Sequence, residues 1–232
     1  MEVYFNSFNK KLSTEQKYWY IMTARIQKSK MYREYPSTVE ECFMASVKGA
    51  LWTAELLEEC RVHVAPELVR IVVAIDPSTT NNKDSDETGI IVAGIDDVGH
   101  GYVLADLSGV HSPLEWVKIA VEAYYEYGAD RIVAEVNQGG DLVEMALRSY
   151  DNNVSYRAVR ASKGKYSRAE PVASLYERYM VHHVGRFPML ENQQITFTPQ
   201  SSKSPDRYDA MVYAITDLML GRKFHGARIE MI

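Results

Sequence analysis

The sequence predicts an α/β domain: a mixed five-stranded sheet flanked by helices, with a helical appendage at its N-terminus. Three observations lead there. Val69 to Ile75 is a run of mostly β-branched residues that stops at Asp76-Pro77; apart from Arg70 it does not alternate, so it reads as a strand buried on both faces. Arg131 to Val136 is a second such run, with Glu135 near its end, and a helix precedes it, so it can lie parallel to the first. The whole order is strand, strand, strand, helix, strand, helix, strand.

Taken from the start, Ser13-Thr14-Glu15-Gln16 is a capping box that opens a helix running to about Arg33. Tyr18, Trp19, Ile21, Met22 and Ile26 give this helix an apolar stripe, read as packing. Tyr35-Pro36 stops it, Ser37-Thr38-Val39-Glu40 starts a short second helix, and Thr53 to Cys60 is a third helical piece. These elements form the appendage, 1–65, and the main domain follows over 66–232.

Pro77 cannot continue a central strand, so the chain leaves the sheet after Asp76. Thr88 to Ile95 and Tyr102 to Leu107 are the next strands, linked by the turn residues Asp96 to Gly101. Ser112-Pro113-Leu114-Glu115 opens a helix that Gly128 ends. After Arg131 to Val136 come a helix from Asp141 to Ser149 and a fifth strand from Val154 to Val159. This order resembles that of the RNase H-like fold.

Composition narrows the class. The net charge is −5, so nothing draws the whole molecule to nucleic acid; DNA binding has to come from a local basic patch or from bound cations. The apolar runs are too short to span a bilayer, and Met1 to Asn6 has no signal-peptide pattern. Cys42 and Cys60 have neither metal spacing nor a disulfide framework around them, which fits a reducing compartment.

The chemistry lies in the carboxylates. Asp76 and Glu135 fall at the ends of strands, where open α/β sheets place ligands. Alone, Asp76-Pro77 reads equally as a turn cap. Side by side, the two acids repel unless a cation joins them. A third acid, Asp209, borders the apolar face of the last helix, which Ser204 caps and Pro205 opens. Asp206 lies three residues earlier and doubles as a dipole cap. Asp86, in the polar loop before the second strand, is a further candidate ligand. Hard oxygen donors without His or Cys select Mg²⁺ or Mn²⁺. Two such ions, roughly 3.5–4 Å apart, form a clamp for in-line attack on a phosphodiester. Asp76 would bridge both ions, and Glu135 and Asp209 would each hold one.

Arg157, Arg160, Lys163, Lys165 and Arg168 fall in a stretch without acids, a candidate contact for the DNA backbone. His182-His183 reads as a solvated pair near the end of the helix from Arg168. Lys163-Gly164-Lys165 lacks the upstream glycine of a Walker loop.

Four stretches in this order resemble the C-terminal nuclease portion of the terminase large subunit of tailed bacteriophages. They are Glu34-Tyr35-Pro36-Ser37-Thr38-Val39-Glu40-Glu41-Cys42-Phe43; Ile75-Asp76-Pro77 with Asp86-Glu87-Thr88-Gly89; Ala134-Glu135-Val136-Asn137-Gln138-Gly139-Gly140; and Lys165-Tyr166-Ser167-Arg168-Ala169 through Ser204-Pro205-Asp206-Arg207-Tyr208-Asp209-Ala210. His183-Val184-Gly185 and Leu190-Glu191 are similar too. The resemblance implies a metal-dependent endonuclease that cuts concatemeric viral DNA during packaging, in the host cytoplasm. It implies that Asp76, Glu135 and Asp209 are catalytic, with Asp86 as a fourth acid. The partners it implies are double-stranded DNA, a packaging ATPase domain, the portal protein and the terminase small subunit. Residues 1–65 would be the tail of the ATPase part. Two other readings stay open: a non-catalytic module that clamps DNA or docks portal and small subunit, and another RNase H-like nuclease such as a junction resolvase.

Overall fold

The structure, a computed structural model, describes residues 13–27, 49–77, 87–136, 141–160, 164–201 and 204–221. Helix α1 (Thr14–Gln27) begins at the expected capping box: the Ser13 amide donates to Gln16 Oε1 at 2.9 Å and the Gln16 amide to Ser13 Oγ at 3.2 Å. Its stripe is not packed as expected, because Tyr18, Trp19 and Ile26 are exposed. The Ser37 capping box and Cys42 lie outside the described residues.

Helix α2 (Ala54–Glu59) is capped by Thr53, whose Oγ1 accepts from the Leu56 amide at 3.2 Å. Strand β1 (Arg61–Val62) follows, then β2 (Arg70–Asp76), β3 (Gly89–Ile95) and β4 (Gly101–Asp106). Gly99, at φ +91, turns the hairpin between β3 and β4, a conformation that favours glycine. Helix α3 (Pro113–Glu126), β5 (Arg131–Glu135), α4 (Asp141–Tyr150) and β6 (Tyr156–Val159) complete the expected order. The chain goes on through α5 (Lys165–Glu177), β7 (Val181–Val184), α6 (Pro188–Thr196) and α7 (Asp206–Ile215), which runs into a π-helical turn, Thr216–Leu220.

Among the described residues the sheet has seven strands rather than five, in the order β1-β7-β4-β3-β2-β5-β6. The first three long strands are antiparallel neighbours, and β5 lies parallel to β2, as expected. The two additional strands widen the far edge: β7 runs parallel to β4, and β1 parallel to β7. His183 is therefore not a solvated helix end. It lies on a strand with its side chain fully buried, while His182 stacks on His100 with ring centroids 5.2 Å apart.

Alternation along β2 sorts its side chains onto two faces. Val73 and Ile75 meet Ile132, Ala134 and the apolar faces of α3 and α4. Val72 and Ala74 meet Val133 and the buried sides of α5 and α7. Burying each such aliphatic side chain contributes about 1.5–3 kcal/mol, which makes β2 the stiff centre of the molecule. Trp52, Leu57 and Cys60 belong to the second of these cores; Trp52 packs edge-on against Tyr176 and Tyr208 at 5.6 and 5.3 Å. The stretch from 52 to 62 thus packs with the sheet, although the expected appendage extended to 65.

Candidate active site

The register Ile75↔Ala134 makes Asp76 and Glu135 the next facing pair at the carboxyl ends of β2 and β5. Asp76 continues the Val72, Ala74 series and Glu135 follows Val133, so both carboxylates turn toward α7. On α7, Asp209 lies one turn in and is fully buried, and Asp206 in the same turn is nearly so. Three distant parts of the chain thus deliver four acids to one end of the sheet.

How α7 reaches that position depends on a residue with no side chain. A Cβ on Gly89 would run into the main-chain carbonyl of Asp206, 2.7 Å from its carbon, and would lie 3.0 Å from the Ala210 Cβ. Gly89 faces Asp76 across β2 and β3, so the helix backbone seats on the strand beside the acid. Arg207 then fastens the helix start, donating to both Glu87 oxygens at 2.8 and 2.9 Å and to Asp106 Oδ2 at 2.8 Å. Gly89→Ala is expected to lower stability by about 1–3 kcal/mol, the usual cost of overpacking. In a chain of this size that is about 2–12 °C in thermal midpoint; an unchanged midpoint would show that α7 is not held by this contact. The helix begins one residue later than the sequence predicted, with Pro205 at the cap position and Ser204 used elsewhere.

Helix α5 supplies the counter-charges. Lys165 Nζ lies 2.5 Å from Asp209 Oδ2 and donates to Ser204 Oγ at 2.7 Å, and that hydroxyl donates to Asp206 Oδ1 at 2.5 Å. Arg168, one turn on, donates to Glu135 Oε1 and Asp209 Oδ1, both at 3.2 Å. Tyr213 donates to the other Glu135 oxygen, accepts from Arg168, and lies under its guanidinium at 4.9 Å. From Lys165 the basic stretch is a helix start, with Lys165 and Arg168 turned onto the acids. The Tyr166 hydroxyl donates to the Gly49 carbonyl at 3.3 Å. Arg157 pairs with Asp217 at 2.7 Å, and Arg160 is exposed. Asp86, Lys163 and the Asn137 to Gly140 loop lie outside the described residues.

Asp76 differs from the other three acids. Among the described residues no hydrogen bond or ion pair reaches its carboxylate. Burial pushes that carboxyl well above the ordinary carboxylate range; Asp209, and then Glu135 and Asp206, push the same way against Lys165. Burial also raises Asp209, against the pull of Lys165 and Arg168. Burial opposes protonation of Lys165, yet its acidic neighbours more than offset this and raise its affinity for the proton.

Sequence reasoning missed Tyr213 and gave Gly89 and Arg207 no role of their own, though both stand in the stretches that carry the family resemblance. Tyr213 stands four residues after Asp209, hence on the same helix face. A glycine opening a buried strand is itself a sign of close backbone approach. Arg207 carried no such sign.

A sheet in this order, with acids at the ends of adjacent central strands and a closing helix that brings another, is an RNase H-like domain. The chain belongs to the terminase RNase H-like domain family, whose model matches residues 73–218. Solved structures share the fold. The nuclease domain of the large terminase subunit gp2 of bacterial virus Sf6 aligns with a TM-score of 0.55 at 14% identity, covering 72% of this chain and 98% of that one. The large terminase nuclease of thermophilic phage G20c with bound cobalt aligns at 0.53 and 13% identity, covering 73% and 98%. A large terminase of another thermophilic bacteriophage, in complex with ADP, aligns at 0.59 and 13%, covering 90% and 53%; the chain spans about half of that protein. No curated protein matches the chain in sequence.

Proposed function

We propose that this chain is a divalent-metal-dependent DNA endonuclease that cuts viral DNA during genome packaging. The observation that carries the reading is Asp76: a half-buried carboxylate whose neighbours Asp209, Glu135 and Asp206 all act on it, without a donor among the described residues. Like charges gathered at one end of a sheet call for a cation.

The donor set fits a hard ion, since every candidate ligand is a carboxylate oxygen and neither His nor Cys stands among them. Among the described residues no three acids are placed closely enough to hold an ion as they stand, and Lys165 and Arg168 occupy oxygens of Asp209 and Glu135. Asp76, Glu135 and Asp209 would hold the metal, with Asp86 as a further ligand and Asp206 beside them. Two ions so held supply an activated water and a stabilised leaving 3′ oxygen. The chain's own residues set the stage. Arg168 and Tyr213 fix the Glu135 carboxylate from both sides. Lys165 holds Asp209 and, through Ser204, Asp206. With the acids neutralised, Lys165 and Arg168 are free to turn their charge to the phosphodiester.

Manganese, cobalt and calcium occur in solved terminase nuclease structures of this fold, which supports a divalent ion here, Mg²⁺ or Mn²⁺ in the cell. A partner packaging ATPase domain, with residues 1–65 as its tail, accords with the half-length match to the ADP-bound terminase; portal protein and small subunit, in the host cytoplasm, belong to the same proposal. Among the described residues no helix is long and apolar enough to cross a membrane.

Supercoiled plasmid incubated with the chain should be nicked and linearised with Mn²⁺ or Mg²⁺ and left intact with EDTA. Cleavage that survives EDTA would refute the mechanism. Retention of DNA without cleavage under every ion would establish the non-catalytic clamp instead.

A further inference from the structure

The other end of the sheet carries an arrangement that the acids do not use. Arg70 on β2, Arg131 on β5 and Arg157 on β6 lie on three adjacent strands. The registers Val72↔Arg131 and Val133↔Arg157 put all three on the face that α7 covers. One carboxylate serves two of them. Asp217, buried in the π-helical turn, accepts from Arg70 through Oδ2 and from Arg157 through Oδ1, the latter at 2.7 Å. Both of its oxygens are thereby taken by the outer strands.

Arg131, on the strand between, is left over. Among the described residues no hydrogen bond or ion pair reaches its guanidinium, and its Nε is buried without a partner. The neighbouring acid, Asp130, accepts from the Ile71 amide at 2.8 Å instead. Arg131 thus stands beside a carboxylate whose two oxygens its neighbours take, in a chain whose net charge is −5.

We infer that Arg131, with Arg157 and Arg70 beside it, is a second contact for a backbone phosphate of duplex DNA, remote from the acids. The inference rests on the nuclease reading for its ligand and deepens it. A guanidinium fork matches a phosphate oxyanion in shape as well as charge. The position suits a duplex. The register Ile132↔Tyr156 sets Arg131 level with Ser155, five residues before Arg160. Arg160 is exposed, and no ion pair holds its side chain among the described residues. At about 3.3 Å per residue the two lie roughly 17 Å apart along the strand. This is about five steps of a duplex at 3.4 Å each. Both flank β6, the outer strand of the sheet, so a duplex laid along that edge meets Arg160 near the acids and the arginine cluster further on.

The test compares the full chain with Arg131→Ala, measuring affinity for a duplex several turns long, in EDTA, across a salt series. The variant should bind about three- to tenfold more weakly at low salt, and its slope of log affinity against log salt should be shallower by about 1. Its thermal midpoint should not fall, since the Arg131 guanidinium has no described partner to lose. If the alanine chain proves unstable, Arg131→Gln gives the same comparison. Equal affinity and equal slope would overturn the inference, as would wild-type chain that binds no duplex. Inorganic phosphate is the second arm: if it raises the wild-type midpoint, and Arg131→Ala abolishes that rise while leaving duplex binding unchanged, the site takes a free anion and the DNA assignment fails. The two readings fail separately. Normal plasmid cleavage with no change in slope sinks only the remote contact, and absent cleavage with the expected change in slope sinks only the nuclease.

Discussion

Asp76→Asn should abolish ion-dependent cleavage while leaving the chain folded. The loss should exceed about a hundredfold, because even groups one step removed from a metal ligand cost 10- to 100-fold when changed. Asparagine keeps the shape of the side chain and removes the charge that a bridging ligand must supply. The same change should not destabilise the metal-free protein. Burial raises the Asp76 carboxyl above its ordinary value of 3.8, with Asp209 the next cause, so the folded state holds that proton more tightly than the unfolded chain does. The stability this contributes is present below 3.8 and is lost as pH rises through the folded value. Without divalent ion, the variant should therefore gain on wild type as pH rises. Adding Mn²⁺ should reverse the order: an ion at a hundred times its dissociation constant stabilises wild type by about 2.7 kcal/mol, and the variant should gain little. Melting curves with and without Mn²⁺, beside a plasmid assay, read all three effects. Cleavage near the wild-type rate would remove Asp76 from the chemistry.

Glu191→Ala should cost about 3–5 kcal/mol of stability, the range for breaking a buried ion pair. Arg61 donates to the two Glu191 oxygens at 2.7 and 3.1 Å, His183 Nδ1 lies 3.1 Å from Oε1, and the Phe187 amide donates to the same oxygen at 3.1 Å. His183 Nε2 in turn meets the Tyr176 hydroxyl at 2.8 Å. One carboxylate so ties β1, β7 and the start of α6 to α5. Burial pushes its carboxyl up, but His183 and Arg61 more than offset that and hold it well below the ordinary 4.5. This contribution is present above 4.5 and lost as pH falls through the folded value, so the gap between wild type and variant should narrow in acid. Urea unfolding measures it. A loss under about 1 kcal/mol, the level of an exposed pair, would show that the edge strands stand without the network.

The acids were readable in the sequence for a specific reason. A buried strand must end at a proline, so Asp76-Pro77 marks the end of β2 wherever that strand sits. Glu135 repeats the pattern, and Asp209 borders a helix that proves buried all round. The widened edge was hidden. Strand β1 is two residues long, and β7 reads Val-His-His-Val, in which buried histidines look like a polar helix end. Nothing in the chain announces that Glu191, eight residues on, receives one of them. The basic run was legible only in part. Charge sign is visible in a sequence and partners are not, so nothing there showed that Lys165, Arg168 and Arg157 face Asp209, Glu135 and Asp217.

The contacts of Lys165 and Arg168 have a consequence for the order of events in the life of the chain. Small metal-dependent folds stay unstructured until their ion arrives. Here an ammonium and a guanidinium already stand in as internal counter-ions for Asp209 and Glu135. Under the proposed nuclease function the chain would therefore mature unarmed, and arriving cations would have to outcompete two tethered residents before it could cut.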